Sequence, residues 1–257
     1  MPLALQGLRE MLVCTVVFGG GAALCAWGAV SGSALWWIPA IPLAAVWVFT
    51  IAFFRDPERD IPAESGSLVS PADGKITEIT RVESHEWIDG PALKISIFLS
   101  IFDVHINRSP CSGRVLRTDY RAGEFLDARH PECGIRNECN TVVLEANEPL
   151  GSGAGVGPTG TRVVIRQVAG LIARRIICQI SPGDSISRGG RIGLIKFGSR
   201  TDLIVPADIG LEPVVQVNDM VKGGSTILIR TVQSKVRCEA DAHPTEPSAA
   251  TMSSQKA

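Results

Sequence analysis

The chain opens on two apolar runs, residues 11–31 and 34–54, and no Asp, Glu, Lys or Arg occurs anywhere between residues 11 and 54. Each run is about the 20 residues that a helix needs to cross a bilayer. Ser31-Gly32-Ser33 separates them as a turn signal, so the pattern predicts a helical hairpin within residues 1–54. Arg9 precedes the hairpin, and Arg55 and Arg59 follow it. By the positive-inside bias both ends belong in the cytoplasm, with the uncharged turn outside and Trp36 and Trp37 at the aromatic belt. A cleaved signal peptide is a poorer reading, because the apolar stretch is roughly twice too long. A buried core hairpin is poorer still, given so long a stretch without charge. Pro39 and Pro42 leave a shallow or re-entrant hairpin open beside a full span.

From residue 55 the pattern changes to short β-branched runs punctuated by Gly and Pro. Strands are expected at 75–82, 92–100, 113–119, 140–146, 161–168, 176–179, 191–196, 202–205 and 226–231. One short helix is expected at 169–175. Residues 55–235 therefore read as one mostly β domain of the α+β class, built as a barrel-like sandwich. Within it, residues 183–190 echo residues 218–224, each a turn with Asp and paired glycines. Such turns recur in lipoyl- and biotinyl-carrier-like sandwiches, though any compact hairpin can look this way. Residues 236–257, rich in Ala, Ser, Thr, Pro and Glu, read as a disordered tail.

Charge adds exclusions. The chain carries 25 Lys and Arg against 26 Asp and Glu, a net charge of −1, so no basic face for nucleic acid is implied. All but two of those charges, Arg9 and Glu10, lie beyond residue 54. Seven cysteines, an odd number at irregular spacing, form no disulfide framework and suggest a reducing compartment. Gly155-Val156-Gly157-Pro158-Thr159-Gly160 matches a dinucleotide fingerprint. A strand pattern follows it where a pyrophosphate site needs a helix, so a hairpin loop is the better reading. His130, Cys133 and Cys139 lack the paired spacing of a zinc site, and no metal is expected.

Three stretches carry chemistry. In Leu194-Ile195-Lys196-Phe197-Gly198-Ser199-Arg200, a Gly-Ser pair ends an apolar strand. It is either an ordinary turn or a backbone cleavage site. Gly198 allows close approach to its carbonyl and strained dihedrals, and the Ser199 hydroxyl is a nucleophile if a base takes its proton. In Phe98-Leu99-Ser100-Ile101-Phe102-Asp103-Val104-His105-Ile106-Asn107-Arg108-Ser109-Pro110, an apolar strand runs into a dense polar cluster around His105. That histidine is either structural or a base. In Val69-Ser70-Pro71-Ala72-Asp73-Gly74-Lys75-Ile76, Asp73 either makes a turn or orients a histidine.

Together these stretches resemble one family, the phosphatidylserine decarboxylases, and in particular their short bacterial and archaeal form. The likeness runs from Phe53-Phe54-Arg55-Asp56-Pro57-Glu58-Arg59 through the motifs above, Gly123-Glu124-Phe125, Asn137-Glu138 and Arg166-Gln167-Val168-Ala169-Gly170-Leu171, covering about residues 53–206. The resemblance implies a self-processing enzyme. Ser199 attacks the Gly198 carbonyl in an N→O acyl shift, and β-elimination separates a β chain of residues 1–198 from an α chain of residues 199–257. The two stay together as a heterodimer, and Ser199 becomes a covalent pyruvoyl group. That group forms a Schiff base with phosphatidylserine and accepts the electrons that CO2 leaves behind, giving phosphatidylethanolamine. No metal or diffusible cofactor is implied.

By the same resemblance His105 is the base for Ser199, and Asp73 orients it. Arg108 stands where longer members carry a second histidine, and Cys139 stands where an arginine is frequent. Arg108, Arg174, Arg175, Lys196 and Arg200 are candidates for holding the phosphate or the serine carboxylate. The partners implied are phosphatidylserine and the cell membrane, with the catalytic domain on its cytoplasmic side. Two alternatives share much of this pattern, a pyruvoyl decarboxylase of another serine-headgroup lipid and a non-enzymatic, membrane-anchored carrier-like sandwich. A serine hydrolase is disfavoured, because no Gly-x-Ser-x-Gly elbow is present.

Overall fold

The structure is a computed structural model that describes residues 2–150, 160–171, 175–196 and 198–231. Two apolar helices, Leu5–Ser31 and Ala34–Phe53, are long and apolar enough to cross a membrane. They meet at a turn in which the Gly32 amide donates to the Gly28 carbonyl (3.0 Å). The Trp47 indole donates to Thr15 Oγ1 across the pair (3.1 Å). The second helix continues through Pro42. Pro39 sits in its first turn, where the missing amide costs nothing. Leu12, Val16, Leu24, Trp27, Val30, Ile38 and Ile41 all point outward. An apolar surface of this extent marks a membrane or partner contact.

The rest is mostly β, as the alternation of β-branched residues predicts. An eight-stranded antiparallel sheet curls into half a barrel. Its order is β13 (Met220–Val221), β2 (Gly74–Val82), β3 (Ala92–Leu99), β11 (Ser199–Pro206), β7 (Arg162–Val168), β6 (Cys139–Ala146), β5 (Gly113–Arg121), β9 (Ser185–Ile186). One three-stranded sheet holds β4 (Ile106–Arg108), β10 (Arg191–Ile195) and β8 (Ile176–Cys178). Another holds β1 (Ser67–Val69), β14 (Ile227–Thr231) and β12 (Leu211–Pro213). Leu68, Ile76, Ile95, Ile97, Leu144, Ile165, Ile192 and Leu228 fill the core between them.

The echo between 183–190 and 218–224 belongs to a larger two-fold repeat. Ser70 Oγ donates to Ala72 O and Ser109 Oγ to Cys111 O, each at 2.6 Å. Asp184 caps the Ser181 amide and Asp219 the Gln216 amide, each at 2.8 Å. The two turns then place β9 and β13 at opposite edges of the large sheet.

Two local expectations change. In the stretch expected as a helix, Ala169 and Gly170 leave β7 as irregular chain and Leu171 is a turn, while residues 172–174 lie outside the described residues. Gly170 has little tendency to continue a helix, and the backbone of Ala169 is claimed by other partners. The Gly-Ser pair does not end a strand. β10 stops at Ile195 and Ser199 opens β11, so Gly198 sits in the tight link between two strands. Of the dinucleotide-like motif, Gly160 is a turn leading into β7, and residues 155–159 lie outside the described residues. So does the tail expected over residues 236–257.

Candidate active site

Gly198 adopts φ +63°, a left-handed conformation that favours glycine. Its carbonyl is held against Gly170 so closely that a Cβ on Gly170 would lie 1.6 Å from the oxygen. Asn137 sets up that approach. Its amide Nδ2 donates to Ala169 O and to Leu126 O (both 2.8 Å), while the Ala169 amide donates to Glu138 O (2.9 Å). Ala169 is thus gripped on both sides, and Gly170 is pressed onto the Gly198–Ser199 peptide.

Ser199 pairs with Leu99 of β3 and is fully buried, and its Oγ has no hydrogen-bond partner among the described residues. Six residues beyond Leu99, after the turn closed by Asp103, comes His105. It too is fully buried, and its Nε2 has no hydrogen-bond partner among the described residues. The Ile195 amide donates to the His105 carbonyl (3.3 Å), so the chain entering the Gly198 link runs beside the histidine. Two buried polar atoms without partners, on segments linked through the Ile195–His105 hydrogen bond, are an exception to the rule that buried polar groups are paired. They suit a reaction in which each acquires a partner only transiently.

The histidine's chemistry follows from its contacts. Nδ1 lies 2.9 Å from the Asp103 carbonyl, which only accepts, so Nδ1 carries the proton and Nε2 has a free lone pair. The Phe53 ring packs on the imidazole with centroids 4.4 Å apart. Burial pushes the imidazole down to about 4 from its ordinary 6.5, so it is neutral at physiological pH.

Asp73 is not brought to His105. Its carboxylate pairs with Arg59 (2.6 Å) and accepts the Gly223 amide (2.8 Å). In the other half of the two-fold repeat Ser112 Oγ accepts the Arg188 amide in the same way (3.1 Å), so this oxygen is part of the turn's architecture. Burial raises the Asp73 pKa, and the nearby Asp103 carboxylate adds to the rise. The Asp73 carboxylate therefore makes no hydrogen bond to His105 among the described residues.

Three of the five expected anion ligands, Arg108, Lys196 and Arg200, are occupied within the protein. Arg108 donates to Asp56 (2.7 Å), Gly189 O (3.1 Å) and Pro57 O (3.0 Å). Asp56 also takes Arg191. Arg108→Ala would leave Asp56 buried with a single, half-exposed partner, at a cost on the order of 3 kcal/mol. Chaotrope unfolding in detergent should show that loss, with the KM for substrate unchanged. Lys196 is buried against the Phe54 ring and pairs with Glu10 of the first helix. Arg200 is buried against Asp202 (2.7 and 2.9 Å) on the face of β11 opposite Ser199. Arg175 is exposed, and Arg174 lies outside the described residues.

A cavity of about 260 Å³ opens beside Gly198, lined by Phe98, Ser100, Ile101, Ala128, Arg129 and Leu171. It is smaller than the pockets of about 300–1,000 Å³ that enclose drug-sized ligands, so it suits a small group. Leu171 of its lining is exposed, as is Phe102, the residue after Ile101, and the Phe102 ring meets Phe49 of the second helix at 6.1 Å. Ile101 of the cavity lining is thus one residue from a contact with the second helix. Among the described residues no group of three or more metal-binding side chains occurs, and all six cysteines are free thiols.

Gly170, Asn137, Asp103 and Phe53 escaped the sequence reading as site residues. The signal for Gly170 was a glycine just after a β-branched strand; the others act through a carbonyl or a ring contact that no local pattern announces. Gly170→Ala should give a folded precursor whose backbone cleavage is slowed about 100-fold, since an ångström of displacement at a reacting centre costs that much. Gel analysis of newly made chain would check it.

Comparison with known proteins completes the description. The sequence profile of the family described as "Phosphatidylserine decarboxylase" matches residues 47–229. A phosphatidylserine decarboxylase proenzyme from Rhodopirellula baltica is 41% identical over 234 residues, 91% of this chain and 90% of that protein. One from Desulfotalea psychrophila is 46% identical over 180 residues, covering 70% and 78% of the two chains. One from Salinibacter ruber is 39% identical over 209 residues, covering 78% and 86%.

Proposed function

The chain belongs to the phosphatidylserine decarboxylase family, and we propose that it converts phosphatidylserine to phosphatidylethanolamine and CO2 after cutting its own backbone between Gly198 and Ser199. The observation that carries the cleavage reading is the corner just described. A glycine at φ +63° precedes a serine whose Oγ is buried without a hydrogen-bond partner, and the strand leading to that glycine hydrogen-bonds the backbone of a neutral histidine with a free Nε2. The relatives' designation as proenzymes points the same way.

The steps balance as follows. His105 Nε2 takes the Ser199 hydroxyl proton, and Oγ adds to the Gly198 carbonyl carbon. The C–N bond breaks, the amine of residue 199 receives the proton, and an ester joins Gly198 to Oγ. Loss of the Ser199 Cα proton then expels Gly198 as a free carboxylate, separating a β chain of residues 1–198 from an α chain of residues 199–257. Water hydrolyses the dehydroalanine left at residue 199, releasing ammonia and leaving a pyruvoyl group. Only a side chain with both a β-hydroxyl and a removable Cα proton serves this sequence. The residues present suit the group, because residue 199 lies next to the cavity lined by Gly198. That group supplies an electrophilic carbonyl that takes up an amine and the electrons released with CO2.

The chain's own residues do the remainder. The hairpin fixes the domain at the bilayer where the lipid resides, and Phe53 at its base closes the histidine from water. The flanking Arg9, Arg55 and Arg59 favour the cytoplasmic side for the catalytic domain. The cavity admits the serine head group while the acyl chains stay with the membrane. The test is incubation of the detergent-solubilised protein with phosphatidylserine and sodium cyanoborohydride. Lipid mass retained on a fragment beginning at residue 199, with phosphatidylethanolamine formed when the reductant is omitted, supports the reading. Lipid turnover without an adduct on that fragment contradicts it.

A further inference from the structure

Four buried polar side chains join β11, which opens on Ser199, to β4, which His105 immediately precedes. Asn140, Gln167 and Thr201 are direct cross-strand neighbours on β6, β7 and β11, so they stand in one row on one face of the large sheet. Asn107 of β4 enters from above that face. Asn140 Nδ2 donates to Gln167 Oε1 (2.9 Å), Gln167 Nε2 donates to Asn107 Oδ1 (2.8 Å), and Asn107 Nδ2 donates to Thr201 Oγ1 (2.9 Å). None of the four exceeds 4% exposure, which excludes a solvated surface patch. Donors and acceptors alternate without a break, so each amide polarises the next.

The spacing gives the row its consequence. Side chains two apart on a strand share a face, so Ser199 lies on the same face as Thr201. His105 precedes Asn107 by two residues, just before β4 begins. The Asn107–Thr201 bond therefore pins the chain bearing the base to the strand bearing the nucleophile, one side-chain repeat away from both. A buried row of this kind is retained for specificity of arrangement more than for net stability, since apolar replacements of similar shape are often close to neutral.

We propose that Asn107, Gln167 and Thr201 are positioning residues for self-cleavage, holding β4 and β11 in the register that sets His105 Nε2 against Ser199 Oγ. The proposal rests on the cleavage reading above. The test follows the appearance of the fragment beginning at residue 199 in full-length chain synthesised into detergent micelles. Wild type, Thr201→Val, Thr201→Ser, Gln167→Met and Ser199→Ala are compared, with thermal midpoints for each. Thr201→Val keeps the shape and removes the hydroxyl that accepts from Asn107, and Gln167→Met breaks the row from the far side of Asn107, so one serves if the other fails to fold.

The expected result is cleavage slowed about 10- to 100-fold in Thr201→Val and Gln167→Met, and cleavage near the wild-type rate in Thr201→Ser, with midpoints that do not follow the rates. Wild-type cleavage in Thr201→Val, equal slowing in Thr201→Ser, or rates that simply track the midpoints would overturn the proposal while leaving the cleavage reading intact. A wild-type chain that stays whole, like Ser199→Ala, would overturn the cleavage reading and the proposal together.

Discussion

Ser199→Ala yields one uncut chain of 257 residues that folds normally and releases no CO2 from phosphatidylserine. The folding half of this expectation comes from the site itself. Ser199 is fully buried, and its Oγ makes no hydrogen bond among the described residues, so removing it leaves no partner stranded. The Ser199 backbone keeps its place opposite Leu99 at the start of β11, and alanine accepts that extended conformation. The chemical half follows from the need for a hydroxyl twice, first as nucleophile and then as the leaving oxygen of the elimination. Alanine offers neither, so cleavage and activity vanish together. An unchanged thermal midpoint with a single band on a denaturing gel is the signature. Loss of the fold would instead assign Ser199 a structural role.

His105→Ala slows self-cleavage about 100- to 10,000-fold, the range in which a positioned general base contributes. The pH dependence tests the assignment more sharply. Burial holds the imidazole at about 4, so Nε2 stays free to accept a proton across the physiological range. Cleavage of newly made precursor should be level from pH 8 to 5 and fall as the pH drops through about 4. Stability moves over a different window. The unfolded chain protonates this histidine near 6.5, whereas the folded chain resists until about 4. The stabilisation from keeping it neutral is complete above pH 6.5 and is lost as the pH falls toward 4, by about 3 kcal/mol in all. His105→Gln, which cannot titrate, should remove that part of the pH dependence. Cleavage that declines already near pH 6.5 would show the imidazole to be solvated and the Phe53 contact to be without effect.

Much of this architecture was legible in the chain. The hairpin announced itself by a run without charge, and the β domain by β-branched runs between Gly and Pro. Gly198, Ser199 and His105 stood out because a glycine-serine pair and an imidazole in a polar cluster follow apolar runs, although Ser199 in fact opens a strand. The structure changed the reading where the deciding contact is long-range. Asp73 looked like the histidine's partner, yet Arg59 and Gly223 hold it, and a backbone carbonyl orients the ring. Arg108 and Lys196 looked like anion ligands, yet carboxylates 52 and 186 residues away in the chain neutralise them. Residues 169–175 looked helical because propensity ignores the grip of Asn137 and Glu138 on Ala169. The two-fold repeat was visible only at its second turn, because the position of Asp73 in one half is taken by Ser112 in the other.

The claim that this chain is a self-processing enzyme meets its most direct test in the intact mass of the detergent-purified protein. Two chains are predicted, divided after Gly198. The smaller begins at residue 199, resists Edman degradation and has the mass of a pyruvoyl group in place of serine. One chain of full-length mass, in protein that is folded and decarboxylates phosphatidylserine, would contradict the account.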